Sequence, residues 1–364
     1  MAECGHEVAA YSSVIGDVGE EIRRGNVFVC DRLTEMPWRP DIIHGHHHLD
    51  LMTAVLFYRR TPAVHVSHGW VPWVEIPPSH PRIMQYFAVD VPTRDAAVRN
   101  GVPADRVHVH PNFVNLKRFK TRGPLPATPR RALVLSNYTH KHLPVIREAC
   151  AAAGIEVEVR GRDAGNVALR PEEILPHYDI VFAKGRSALE AVTVGNAVII
   201  CDRFGVGPMV SMKNALQLQS LSGDYQALYE PLTVQAVARE LANYRPEDAA
   251  AVCQLARSVV GLDQAVIHFL RAYEEIIHTF ASTPLDEDAE AAAESAYLAW
   301  VTCYIKESPA RLHKHDVSDA ELKSSRAEAA RPQRASLATH VRQRLRPLMN
   351  TISRRMKSNR GAAN

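Results

Sequence analysis

The sequence has no C-x-x-C pair: its six cysteines, Cys4, Cys30, Cys150, Cys201, Cys253 and Cys303, are scattered along 364 residues. Zinc ribbons and disulfide frameworks need closely spaced cysteines, so this spacing points to reduced thiols used as small apolar filler. Also lacking is an apolar run long enough to cross a bilayer, and the N-terminus has no basic segment followed by an apolar one. A soluble or peripherally attached chain is expected. Net charge is scant, a formal +3, and unevenly placed: from Arg311 onward thirteen Lys and Arg stand against four Asp and Glu, so the body before it is mildly acidic. The basic residues come with neither aromatic interleaving nor a zinc motif, so no nucleic acid is expected as a partner.

What is present is enough apolar material, 46% of residues, for more than one core. Short β-branched runs read as strands: GNVFVCD (25–31), PDIIHGH (40–46), TPAVHVSHG (61–69), MQYFAVDVPT (84–93) and DRVHVHPNF (105–113). Helical spacing lies between them in 48–60 and 94–101. A Pro-rich basic stretch, KTRGPLPATPRR (120–131), breaks the pattern and reads as a linker. Alternation resumes with 131–138, a helix over 141–153, then 155–162, 178–185, a helix over 187–194, and 196–205; helices dominate from about residue 212. The predicted class is α/β with two Rossmann-like domains, 1–122 and 132–282, joined by a linker at 123–131. A packing helix is expected at 283–310 and a basic tail at 311–364.

Open parallel sheets bind ligands beyond the carboxyl ends of their strands, so the strand ends are the candidate site. In the first half these are His44 to His48, His68-Gly69, Pro92-Thr93 and Pro111-Asn112; in the second, Ser136-Asn137, Gly161-Arg162, Lys184 to Ser187 and Arg203 to Gly207. In YDIVFAKGRSALEAVTVGNAVIICDRFGVG, a strand ends in Lys-Gly-Arg-Ser and a helix begins near Ser187, which is expected as its N-cap. Free N–H groups there, with Lys184 and Arg186, suit a phosphate or diphosphate, and Glu190 one turn on suits vicinal hydroxyls. The same residues also fit a plainer reading, in which Glu190 complements the helix dipole and Lys184 is a solvated charge.

The stretch HGHHHLD (44–50) raises a metal site, since neutral imidazole is a common ligand. Three or four ligands must converge from a fixed frame, and no Asp, Glu or Cys pattern completes such a set beside Asp41 and Asp50. The expectation is no metal, with the cluster read as a strand end leading into a helix.

RSALEAVTVGNAVII resembles the nucleotide-sugar-binding part of GT-B glycosyltransferases, where a Ser-x-x-Glu-Ala helix start, a Gly and an apolar strand recur. VPTRDAAVRNGVPADRVHVHPNFVNLKRF (91–119), PDIIHGHHH and VHVSHG are similar to further stretches of glycosyltransferase family 4, in the family's order over residues 1–280. The resemblance implies the GT-B fold, two Rossmann-like domains facing a cleft. The departures are specific. MAECGHEVAAY opens where the family has already passed its first strand and Gly-rich loop, so the first domain is expected to lack that strand, through an upstream true start or a degenerate domain. Phe182 stands at the first position of the Glu-x7-Glu pattern whose second is Glu190. Ser136 stands for the Arg of the Arg-x4-Lys pair that Lys141 completes, and Phe113 follows Asn112 where a Gly is usual.

The resemblance implies a nucleotide-sugar donor on the second domain, held by Asn137, Lys141, Gly161, Lys184, Arg186, Ser187, Glu190 and Gly205. It implies a glycan or lipid-linked acceptor on the first, beside His44, His46 and Gly69, with His68 as the catalytic candidate. Transfer with retention and no obligate cofactor is implied. Two other readings stand beside this one: a catalytically degenerate binding or scaffold protein of the same fold, and a metal-dependent hydrolase built on the histidines.

The tail holds one further pattern. Residues 316–336 are poor in apolar side chains and are expected to be disordered. In 335–357, Leu337, Val341, Leu345, Leu348, Ile352 and Met356 recur every three or four residues among arginines, interrupted by Pro347. Such a basic amphipathic segment suits either an anionic membrane surface or the protein's own body. The expected location is cytoplasmic, with peripheral attachment at the inner face of the membrane as the extension of that reading.

Overall fold

A computed structural model describes residues 1–70, 72–137, 143–202, 204–215 and 230–307. The chain divides into two compact units. One comprises residues 1–87, 95–108 and 275 onward, the other 88–94 and 109–274.

The first unit carries two separate sheets, in which β1–β2 and β3–β4 pair in parallel. Strand β1 (Ala9–Tyr11) pairs with β2 (Phe28–Cys30) around helix α1 (Asp17–Arg24). Strands β3 (Ile43–Gly45), β4 (Ala63–Ser67), β5 (Ile83–Ala88) and β6 (Val107–Val109) follow in that spatial order in the second sheet. In the order 3-2-1-4 of doubly wound sheets, the first strand separates the second from the fourth. Among the described residues no strand hydrogen-bonds the β1–β2 pair to β3. Helix α2 (His48–Phe57) closes onto β3 because Gly45 has no side chain: a Cβ there would lie 2.5 Å from Leu51. The expected strand 84–93 ends early, at Ala88, and helix α3 (Val91–Arg99) starts three residues before the expected 94. Asp90 explains both, since its Oδ1 accepts the Thr93 N–H at 2.8 Å, with Pro92 inside the first turn.

In the second unit, β7 (Arg131–Leu135), β8 (Glu156–Arg160), β9 (Ile180–Ala183) and β10 (Ala197–Asp202) are parallel, and β11 (Gly205–Met209) adds an antiparallel edge, in the order β11-β10-β9-β7-β8. Both faces of the parallel strands are buried, so alternate residues feed two cores. Ala132, Val134, Phe182 and Ile199 pack with Ile146 and Cys150 of α4 (Leu143–Ala152) and with Val237 of a later helix. Leu133, Val181, Val198 and Ile200 pack with residues of the opposite face, among them Ala191, Val194 and Ala256. After the short α5 (Pro171–Ile174), α6 (Gly185–Val194) links β9 to β10, and α7 (Val234–Ala242) and α8 (Pro246–Val259) complete the unit. Strand β11 was not foreseen: Gly-Val-Gly-Pro-Met has little of the β-branched signature, and its pairing with β10 places it.

Helix α9 (Leu262–Ser282) runs across the unit boundary, and α10 (Glu287–Glu307) belongs to the first unit. The ring of Tyr304 on α10 stacks on Trp73 at 3.7 Å and 1°. Tyr297 Oη is 2.9 Å from His48 Nδ1. Arg82, 1% exposed, ion-pairs with Glu290 at 3.2 Å and donates to the Tyr58 carbonyl at 2.7 Å. No described helix is long and apolar enough to cross a membrane. The expected disordered stretch 316–336 and amphipathic segment 335–357 lie outside the described residues.

Candidate functional site

The sheet order of the second unit places a topological switch point between β7 and β9, because β8 lies on one side of β7 and β9 on the other. Ligands of doubly wound sheets bind outside the carboxyl ends of such a strand pair. Those ends are Ser136-Asn137 and Lys184.

Beyond β9 the chain turns directly into α6, with Lys184 as N-cap residue and Gly185 at φ 55°, the left-handed region that favours glycine. No side chain caps this helix, so its first N–H groups stay available to an anion. Ser187, expected as the N-cap, lies instead inside the first turn, because the helix begins two residues earlier than its sequence signal indicates. Lys184 Nζ is 2.7 Å from Oδ2 of Asp202, a buried carboxylate at the end of β10. Arg186 Nε donates to Glu190 Oε1 at 2.9 Å across one helical turn. Burial raises the Glu190 pKa, and the Arg186 and Arg118 guanidinium groups oppose that rise.

The two strand-end loops are tied together on the other side. Asn137 Oδ1 accepts the Arg162 N–H at 3.0 Å, and Gly161, at φ 154°, passes so close to β7 that a Cβ would sit 1.8 Å from the Ser136 carbonyl oxygen. Gly161 therefore serves the approach of β8's end to β7's end, whatever else passes over it. Gly205 is not a loop residue as expected but the buried first residue of β11, paired in register with Asp202. Lys141 lies outside the described residues.

In the first unit the histidines separate into two groups. His48 and His65 are buried in the core: burial lowers the pKa of His48 to about 4 and that of His65 to about 3. His48 packs against Trp73, Tyr297 and Trp300. His44, His46 and His68 gather at the carboxyl ends of β3 and β4. His46 Nδ1 is 2.7 Å from His68 Nε2, and the His44 ring centroid is 4.9 Å from that of His46. The His68 backbone N–H donates to Glu75 Oε2 at 2.9 Å, and His47 Nε2 is 3.5 Å from Glu75 Oε1. Gly69 has open space around it, so nothing in its surroundings requires a glycine.

Glu75 and Asp202 are the site residues that sequence reading missed. Glu75 had a signal, a lone carboxylate in the apolar run WVPWVEIPP. Asp202 had none, because β10 and β9 come into register only in the folded sheet.

Among the described residues, ligand atoms of metal-binding type converge within 4.8 Å at His80, Glu290 and Glu294, and not at the 44–48 cluster. Those three are a poor cation site. His80 Nδ1 accepts the Arg82 N–H at 3.2 Å, so the neutral ring carries its proton on Nε2, where a metal would need a lone pair, and Arg82 already balances Glu290. A cavity of about 440 Å³ in the first unit, between Arg39, Arg60 and Phe280, opens near the N-terminal ends of β3 and β4, away from these strand-end residues.

Residues 27–118 match the family model of Glycosyltransferase Family 4. No curated protein sequence matches the chain. Among solved structures, HepE of Anabaena in complex with UDP and glucose is similar with a TM-score of 0.51 at 12% identity, over 78% of this chain and 94% of HepE. HepE in complex with UDP is similar with a TM-score of 0.51 at 12% identity, over 75% and 91%. A putative UDP-N-acetylglucosamine 2-epimerase from Listeria monocytogenes reaches a TM-score of 0.39 at 14% identity, over 73% and 78%, a likeness too low to carry an argument. At such identities the similarity to HepE shows the fold.

Proposed function

We propose that the chain, which is similar to Glycosyltransferase Family 4 over residues 27–118 and shares the fold of HepE, transfers a sugar from a nucleotide-sugar donor to an acceptor. The observation that carries this reading is the start of α6: an uncapped helix N-terminus with Lys184, Arg186 and the buried Glu190 around it, beyond the carboxyl end of β9. Backbone N–H groups and Lys184 serve the diphosphate, Glu190 accepts from the ribose hydroxyls, and the Asn137 and Gly161 loops border the same strand ends. Lys141 and Ser187 are assigned to the diphosphate on the strength of the family pattern. HepE, solved with UDP and with UDP and glucose, favours a uridine nucleotide as the first donor to try.

His68 stands on the acceptor side, with His44, His46 and Gly69 near it, where an imidazole supports departing charge or takes a proton. Retention of configuration, a glycan or lipid-linked acceptor, a cytoplasmic location and attachment to an anionic membrane through 335–357 belong to this proposal as the family resemblance and the tail's sequence frame it. The requirement for no obligate cofactor belongs to it as well.

A specific observation favours a second reading, a binding protein with reduced catalysis. Phe182 is fully buried in the β9 core, so the strand position that bears a carboxylate in the family pattern is given over to packing here.

A panel of UDP, GDP and ADP tested for thermal stabilisation separates these readings from an unrelated function, because a ligand of the folded state raises its apparent stability. Stabilisation by one nucleotide that Glu190→Ala abolishes is expected. No shift with any of them overturns the donor site. Turnover lost in His68→Ala with nucleotide binding retained identifies a transferase, and binding without turnover in the parent chain identifies the second reading.

A further inference from the structure

The histidine pair at the ends of β3 and β4 carries a finer assignment than a shared position beside the acceptor. Two imidazole nitrogens 2.7 Å apart, on rings inclined by only 25°, lie at hydrogen-bond distance in nearly a common plane. Such a contact needs one N–H: two lone pairs repel, and so do two protons.

We propose that His46 and His68 hold one proton between His46 Nδ1 and His68 Nε2 and titrate as a unit, His46 being the positioning residue that sets the tautomer and orientation of His68. The assignment rests on the reading above, in which His68 does the chemistry. Its frame is rigid on the His68 side, where the buried Glu75 accepts the backbone N–H. On the other side β3 holds the pair in step, since Gly45 pairs in register with His65 of β4.

Among the described residues, the charged and titratable groups around the pair include His44, His47, His48, His65 and Glu75. Four are histidines, and the carboxylate is shared with His47. The neutral pair already carries one N–H in the contact, so a first added proton goes to an outer ring nitrogen and leaves the contact intact. Adding a second sets two cations side by side among further imidazoles, so it is displaced to much lower pH. Desolvation and His47 both lower the His46 pKa, in the same sense. Near neutral pH the tautomer of His68 thus follows that of His46: a proton on His46 Nδ1 makes His68 Nε2 the acceptor, and a His46 Nδ1 lone pair requires the proton on His68 Nε2.

The test uses the full chain with histidine ring carbons labelled, titrated by NMR, and its readout does not depend on turnover. Resonances assigned by their loss in His46→Leu and in His68→Gln are expected to show coupled, two-step titration in the parent. Removal of one partner should turn the other into a single step displaced by about one pH unit or more. Independent single steps, unmoved by loss of the partner, overturn the proposal.

UDP-glucose is the probe for function, read by UDP release. His46→Leu is expected to lower kcat about tenfold or more with KM within about twofold, in the range of one acid–base interaction. His46→Asn places an amide where Nδ1 stood and should restore most of the rate with an altered acid limb of the pH profile. Equal rates in His46→Leu and the parent overturn the positioning role. A parent chain inert toward UDP-glucose counts against that donor or against the transferase reading, and the titration then decides the pair by itself.

Discussion

Nζ of Lys184 lies 2.7 Å from Oδ2 of Asp202, joining the end of β9 to the end of β10 at the mouth of the candidate donor site. The carboxylate is buried and the ammonium is about one third exposed, so the pair both holds Lys184 in place and neutralises it. A double-mutant cycle of Lys184→Met and Asp202→Asn is expected to give a coupling of about 0.5 to 3 kcal/mol in urea unfolding. UDP stabilisation should fall in Lys184→Met and hold or rise in Asp202→Asn, where the cation loses its counter-charge. Equal losses in both variants would show that Asp202 itself serves the ligand.

Gly161 offers a sharper test of how the strand-end loops are built. Its φ of 154° and the 1.8 Å approach of an added Cβ to the Ser136 carbonyl leave no flexible side chain to yield, because the obstacle is backbone. Gly161→Ala should therefore destabilise the second unit by about 3 kcal/mol or more, a backbone-strain and steric cost together. A variant within about 1 kcal/mol of the parent would mean that the β7 and β8 ends separate readily.

How legible the site was depended on whether its signal was local. Lys184, Arg186 and Glu190 lie within one helix start and could be read from KGRSALEA. The fold of the second unit followed from the strand–helix alternation, since buried parallel strands are apolar runs. The cap was expected three residues too late, at Ser187 instead of Lys184, because a serine is a strong cap signal, whereas here the left-handed Gly185 starts the turn. The bond between His46 and His68 joins residues 22 apart, and the Asp202 pair rests on strand register; neither has a trace in local sequence. His48 and His65 looked like their neighbours, and alternation alone could not tell which would face α10 or the core.

The buried histidines predict an acid weakness of the first unit. His48 and His80 are held to about 4 and His65 to about 3, each mainly by burial, against about 6.5 for a free imidazole. As pH falls below about 6.5 the unfolded chain takes up these protons while the folded unit does not, so stability is lost progressively down to about pH 4, and for His65 to about pH 3. Urea unfolding followed through Trp73 and Trp300 fluorescence from pH 7.5 to 4.5 should show a falling midpoint. His65→Gln should flatten the slope by about one proton. An unchanged midpoint over that range would mean that these rings are charged within the fold.

Glu190 predicts the opposite dependence in the second unit. Burial raises its pKa above the unfolded value of about 4.3, despite Arg186, so between those two values the folded state binds the proton more tightly. Stability contributed by that protonated carboxyl is lost as pH rises through the window. Glu190→Gln carries no such term, so its stability relative to the parent should improve as pH climbs from about 4 to 7. The same amide is a poorer acceptor for two ribose hydroxyls, so UDP stabilisation should fall as unfolding resistance grows. Parallel urea and nucleotide titrations at both pH values check this. A Gln variant that loses ground to the parent with rising pH would show that the Arg186 ion pair outweighs the burial of Glu190, and that this carboxylate is held for stability rather than for a ligand.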